Sequence, residues 1–90
     1  MNFEWDESKA ASNISKHGVS FDEATTIFGD PLAITFPDPM HSAEEDRFLT
    51  FGRSSSGRFV VVAHTDRADR IRLISAREMT RKERSDYEQF

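Results

Sequence analysis

The sequence predicts an α+β fold in which two N-terminal helices pack on an antiparallel β-sheet meander and a short helix closes the chain. Three observations carry this prediction. Residues 6–28 place apolar side chains at helical spacing between capping residues. From Leu32 onward the apolar residues come in short runs, separated by turn signals such as Ser54-Ser55-Ser56-Gly57. Thr80-Arg81-Lys82-Glu83 then has the pattern of a helix start. Ninety residues are read as one domain, 1–90, with a modest core.

Each element follows from local chemistry. Phe3 and Trp5 lie two apart, which suits a short first strand with one buried face. Asp6 caps a helix over residues 6–17, with Ala10, Ile14 and His17 along one stripe, and Gly18 ends it. Ser20-Phe21-Asp22-Glu23 reads as a capping box for a second helix with Phe21, Ala24, Ile27 and Phe28 on its apolar face. Gly29 and Pro31 stop that helix. Strands are expected at Leu32–Phe36, Arg47–Arg53, Arg58–Thr65 and Arg70–Arg77, with an acidic loop at 38–46 and a turn at 66–69. The closing helix is poor in apolar residues and would dock through Tyr87 and Phe90. Short turns between consecutive strands imply antiparallel pairing, and both early helices then cover one face, leaving the other open to solvent or a ligand.

Composition excludes several classes. The chain has no cysteine, so neither a disulfide framework nor a thiolate metal site is available. No apolar run approaches the ~20 residues of a membrane span, and the start MNFEWDESK lacks a signal-peptide pattern. The expectation is a cytoplasmic protein with no membrane partner. Its net charge is −4, but residues 1–45 hold nine acids and two lysines while residues 46–90 hold seven acids and ten basic residues. That split points to an acidic and a basic surface on one small body, the second suited to phosphates.

The cations concentrate in His64–Arg77, HTDRADRIRLISAR. Strict alternation puts Ile71, Leu73 and Ser75 toward the helices and Arg70, Arg72, Ile74 and Ala76 on the open face, with Arg53 and Arg77 at its rim. Alternation leaves the direction of His64 open; with Phe59 and Val61 in the core, it joins Arg70 and Arg72. A basic open sheet with a histidine suits RNA cleavage without a metal. RNA supplies its own nucleophile, the 2′-OH; histidine exchanges protons near neutral pH and arginines bind phosphate bidentately. Lys16 and His17 form a second cationic spot, equally explained by the preference for cations at a helix C-terminus. His41 reads as a solvated loop residue. The three histidines lack metal-ligand spacing, and no glycine-rich phosphate loop opens a helix. No cofactor is implied.

Taken together the chain resembles the BrnT family of type II toxins, small proteins of the RelE-like fold. The resemblance rests on Phe3-Glu4-Trp5-Asp6 with Lys9 and Asn13, Lys16-His17-Gly18-Val19-Ser20-Phe21 with Ala24 and Ile27-Phe28, Arg47 through Gly52-Arg53, Val60-Val61-Val62, Arg70 through Arg77, and Glu83 with Tyr87. It implies a ribonuclease that cuts RNA and stops translation. It also implies inhibition by a cognate ribbon-helix-helix antitoxin (BrnA-like), through which alone operator DNA is reached. Related toxins use basic side chains on the open sheet face, which supports Arg53, Arg70, Arg72 and Arg77 as catalytic, with Lys16, His17 and Arg47 as substrate-binding residues. His64 enters the catalytic set on chemical grounds alone. By charge complementarity the antitoxin would cover the basic face. Two other readings fit the sequence: a non-catalytic module that docks on nucleic acid or the ribosome, and an interaction protein such as a toxin that has lost its activity.

Overall fold

Local capping chemistry fixes the first half of the molecule. The computed structural model describes residues 1–38, 40 and 46–89; His41 and Phe90 lie outside them. After β1 (Asn2–Glu4), helix α1 (Glu7–His17) starts at Asp6, whose carboxylate accepts the N–H groups of Ser8 (2.8 Å) and Lys9 (3.1 Å). It ends at Gly18, left-handed at φ 69°, whose N–H returns to the Ile14 carbonyl. Ser20 caps α2 (Phe21–Thr25) by accepting the Glu23 N–H at 3.0 Å. The capping box expected there is only half made, because the Glu23 carboxylate turns away to Arg58. The Thr25 and Thr26 hydroxyls donate to the carbonyls three residues back, and the helix tightens into a 3₁₀ turn, Thr26–Gly29.

The second half is β2 (Ile34–Pro37), β3 (Arg47–Arg53), β4 (Phe59–Arg67), β5 (Arg70–Glu78) and α3 (Arg81–Glu88). The strands form one sheet in the order β1-β5-β4-β3-β2. β2 through β5 pair antiparallel as a meander, but β1 joins the outer side of β5 in parallel, so the sheet is mixed and not purely antiparallel. The two early helices carry the chain from β1 across the sheet to its opposite edge at β2, which frees β1 to run beside β5.

Helices α1 and α2 and the 3₁₀ turn cover one face. Beneath them lie Val19, Phe21, Ala24, Ile27, Val60, Val62, Leu73 and Ala76, with Phe3, Trp5, Ala10, Phe28 and Ile71 packed around. Each large aliphatic or aromatic side chain in this set contributes about 1.5–3 kcal/mol by burial. The α1 stripe differs from the expected one: Ile14 is 52% exposed, and the helix docks through Ala10 and buried Asn13. Asn13 donates to the carbonyls of Val19 (2.9 Å) and Ala76 (2.8 Å) and accepts the Ala76 N–H (3.0 Å). β1 pairs with β5 only along Arg70–Arg72. Beyond that point the Asn13 amide takes the place of a neighbouring strand.

One irregularity decides which side chains share a face. Ala63 pairs with Ser75 but His64 pairs with Leu73, so Ile74 is an extra residue on β5, a β-bulge. Strict alternation fails there. Ala76 faces the helices and is fully buried, whereas Ser75 stands on the open face. The bulge also turns Arg77 to the same face as Arg72; without it, Arg77 would point into the core.

No described helix is long and apolar enough to cross a membrane.

Candidate functional site

The open face carries basic residues at both ends of the sheet. At one end Arg47, Thr65 and Arg72 are consecutive cross-strand partners on β3, β4 and β5, and Arg72 is in turn paired with Glu4 on β1. Glu4 accepts from Arg72 Nη1 at 3.0 Å and meets Arg70 Nη1 at 3.5 Å. The Arg72 hydrogen bond is the main reason its carboxyl sits below the usual glutamate range, against a smaller opposing effect of burial. Arg47 Nε and Thr65 Oγ1 are the described buried side-chain polar atoms that lack a hydrogen-bond partner. Such atoms are costly to leave unpaired and are uncommon in folded proteins.

At the other end, α3 lies against the sheet. Arg77 forms a two-pronged pair with Glu83, at 2.7 and 2.9 Å, and also donates to the Glu78 carbonyl. Glu83 is thereby held down to about 2, with the Arg77 hydrogen bond as the leading cause and burial opposing it. Phe59 is flanked by the guanidinium of Arg84, 4.1 Å from the ring centre, that of Arg53, 5.4 Å away, and the edge of Tyr87. The Tyr87 hydroxyl donates to Asp30, which also accepts the Arg53 backbone N–H at 2.7 Å. Burial, then the Asp30 carboxylate, pushes Tyr87 up to about 12. Between α3 and the sheet runs a groove of roughly 570 Å³, floored by Ile34, Phe36 and Phe51 and edged by Glu83, Asp86, Tyr87 and Gln89. At ~3.3 Å per residue, Arg72 and Arg77 stand roughly 15 Å apart along β5, so the arginines form two groups on one face.

The described histidines, His17 and His64, are not part of that face. Val60, Val62 and His64 point toward the helices, which removes the condition for placing His64 with the arginines. The His64 ring is 3% exposed, stacked on Phe48 and edge-on to Phe28. Its Nε2 is 2.7 Å from Thr50 Oγ1 and its Nδ1 3.2 Å from Asp66, while Thr50 bonds Thr35 in turn. Burial lowers its pKa, with Asp66 acting against that. It reaches no ligand on the open side. Lys16 and His17 occupy the last turn of α1, beyond the covered face, and are exposed. The structure thus brings Arg47, Arg70 and Arg72 together, sets Arg53 and Arg77 at the far end, and leaves Lys16, His17 and His64 elsewhere. Sequence reasoning missed Glu4, Thr65 and Glu83, whose positions depend on cross-strand pairing and helix docking. Among the described residues no three His, Asp or Glu side chains are grouped to hold a metal ion.

Comparison with known proteins bears on this geometry. The crystal structure of the Brucella abortus ribonuclease toxin BrnT is similar to this chain with a TM-score of 0.72 and 25% identity, over 90% of this chain and 99% of that one. No curated protein matches the sequence. The model of the family described as "Ribonuclease toxin, BrnT, of type II toxin-antitoxin system" matches residues 5–83, from just after β1 into the first turn of α3. With both groups of open-face arginines save Arg84 inside that match, the chain belongs to the BrnT family of ribonuclease toxins of type II toxin–antitoxin systems.

Proposed function

We propose that this chain is a metal-independent endoribonuclease that acts in the cytoplasm, inhibits translation by cutting RNA, and is neutralised by a cognate antitoxin covering its open face. The observation that carries the reading is the convergence of Arg47, Arg70 and Arg72 around Thr65 and Glu4 on a face free of α1 and α2. Guanidinium groups bind phosphate bidentately and neutralise the charge that builds as the 2′-oxygen attacks phosphorus. In this reading Arg70 and Arg72 stabilise the reacting phosphate and Arg47 holds it. Arg53, over the Phe59 ring, and Arg77 bind a neighbouring stretch of the strand, where an aromatic ring can stack a base. Lys16 and His17 serve the C-terminus of α1, and His64 serves the core. The antitoxin is proposed to be a ribbon-helix-helix protein that alone contacts operator DNA.

Expression of the chain in growing bacteria tests the reading. The expected result is growth arrest with new RNA ends, abolished by Arg72→Ala in a protein that remains folded, and cleavage by the purified chain that persists in chelator. Arrest without new RNA ends would instead identify a binding module.

A further inference from the structure

An RNA-cleaving surface needs a group to take the 2′-OH proton, and the described histidines, His17 and His64, do not supply one on this face. His64 is sealed under the 3₁₀ turn and His17 lies beyond the other side of the sheet. Of the described carboxylates associated with the open face, Asp38, opposite Arg47, is buried at 6% exposure and accepts the Met40 N–H at 3.1 Å. Glu83 is committed: both oxygens bond Arg77, and one also accepts the Thr80 N–H at 2.8 Å. Asp86 pairs with Lys82 on α3. Glu4 differs from all three. Its side chain is 26% exposed, and its two oxygens have one contact each, at 3.0 Å to Arg72 and 3.5 Å to Arg70. A carboxylate has about four lone-pair sites, so acceptor capacity remains. Arg70 and Arg72 likewise keep further N–H donors after meeting Glu4.

We infer that Glu4 is the general base of the cleavage reaction, a role that rests on the ribonuclease reading above. A phosphate bridging Arg70 and Arg72 brings the adjacent ribose 2′-OH within reach of the carboxylate between them. Glu4 accepts the 2′-OH proton while the 2′-oxygen bonds to phosphorus. The phosphorus–5′-oxygen bond breaks, leaving a 2′,3′-cyclic phosphate on one fragment. The 5′-oxygen takes a proton from solvent, and Glu4 returns its own to solvent. The neighbouring guanidiniums keep the carboxylate ionised through the neutral range. They weaken it as a base but stabilise the developing phosphorane charge.

The test uses the purified full chain on labelled RNA oligonucleotides. The expected result is cleavage to 2′,3′-cyclic phosphate ends at a rate nearly flat from pH 6 to 8. Glu4→Gln should lower that rate by roughly 10²-fold or more while RNA binds as tightly or more tightly. Glu4→His should regain part of the rate, with an inflection near the imidazole pKa of about 6.5. Cleavage by Glu4→Gln as fast as wild type, or a wild-type rate that itself inflects near neutrality, overturns the inference while leaving the ribonuclease reading intact. A wild-type chain that binds RNA but cuts none overturns both.

Discussion

Glu23 is a polar tie between the helices and the sheet, and replacing it with glutamine yields a quantitative prediction. Its carboxylate accepts from Arg58 Nη2 at 2.6 Å, Arg58 Nε at 3.0 Å and Ser54 Oγ at 2.7 Å, with Ser56 as a further donor. Arg58 also donates to the Gly18 carbonyl at 3.0 Å, so one pair joins α2, the end of α1 and the β3–β4 turn. Arg58 is the main cause that carries Glu23 from its ordinary 4.5 to about 2; burial opposes it and the two serines assist. At 1.36 kcal/mol for each pKa step, the upper limit is about 3 kcal/mol. The Arg58 side chain is 33% exposed, and solvent screening reduces the contribution to about 1–2 kcal/mol. Glu23→Gln should therefore lower Tm at pH 7 by about 5–10 °C in a domain this small. The folded pKa lies below the unfolded one, so the contribution is complete above 4.5 and is lost as pH falls through about 2. Urea melts of both proteins should show a gap at pH 7 that shrinks below half by pH 3. An unchanged gap at pH 3, or none at pH 7, would refute the electrostatic account.

Three further substitutions probe features on which the fold depends. Asn13→Ala leaves the Ala76 N–H and two carbonyls without their buried partner, and should cost about 2–4 kcal/mol by urea denaturation. A loss below 1 kcal/mol would mean that water replaces the amide. Gly52→Ala places a Cβ 3.1 Å from Ile27 Cβ and 3.2 Å from its carbonyl oxygen, so overpacking should destabilise by about 1–3 kcal/mol. A neutral or stabilising result would show that the 3₁₀ turn yields easily. Buried His64 has a folded pKa below 6.5, so its contribution is present above that value and is lost as pH falls through the lower folded value. An NMR titration of the ring should give a midpoint below 6.5, and His64→Phe should flatten the stability profile between pH 7 and 5.

Local chemistry was legible in the sequence and pairing was not. Asp6, Gly18, Ser20 and the Thr80–Glu83 box act within one helical turn, so their caps could be read from spacing. The Ser54–Gly57 turn was legible for the same reason. The parallel pairing of β1 with β5 joins Glu4 to Arg72 across 68 positions, and no local pattern encodes it. β4 is apolar on both sides, with Val61 at 3% exposure and Val62 at 0%, so its alternation could not orient His64. The partner that would have fixed the ring, Thr50, is on another strand. Ile14 outranks Asn13 on any hydropathy scale, yet Asn13 is buried, because the unpaired edge of β5 at Ala76 needs an amide and not a methyl group.

The charge asymmetry between the two halves has a different outcome from separate acidic and basic surfaces. Acids of the first half close on bases of the second: Glu4 on Arg70 and Arg72, and Glu23 on Arg58. Ion pairs as open to solvent as those on Glu4 are weak. For Arg70 and Arg72, 62% and 33% exposed, exchanging part of a Glu4 contact for a phosphate oxygen is accordingly cheap. The pairing holds the guanidiniums in place without withdrawing them from a ligand. Arg77 is held more firmly, because Glu83 grips it with two bonds and is itself fixed by the Thr80 cap. The two ends of the face should then differ in kind. In the proposed reading the Arg70–Arg72 end exchanges its carboxylate contact for the reacting phosphate, and the Arg77 end is a stiffer wall along which the rest of the strand would lie. Both ends face the same way only because Ile74 interrupts the alternation of β5, so one extra residue in one strand gathers the cations of the last strand onto a single surface.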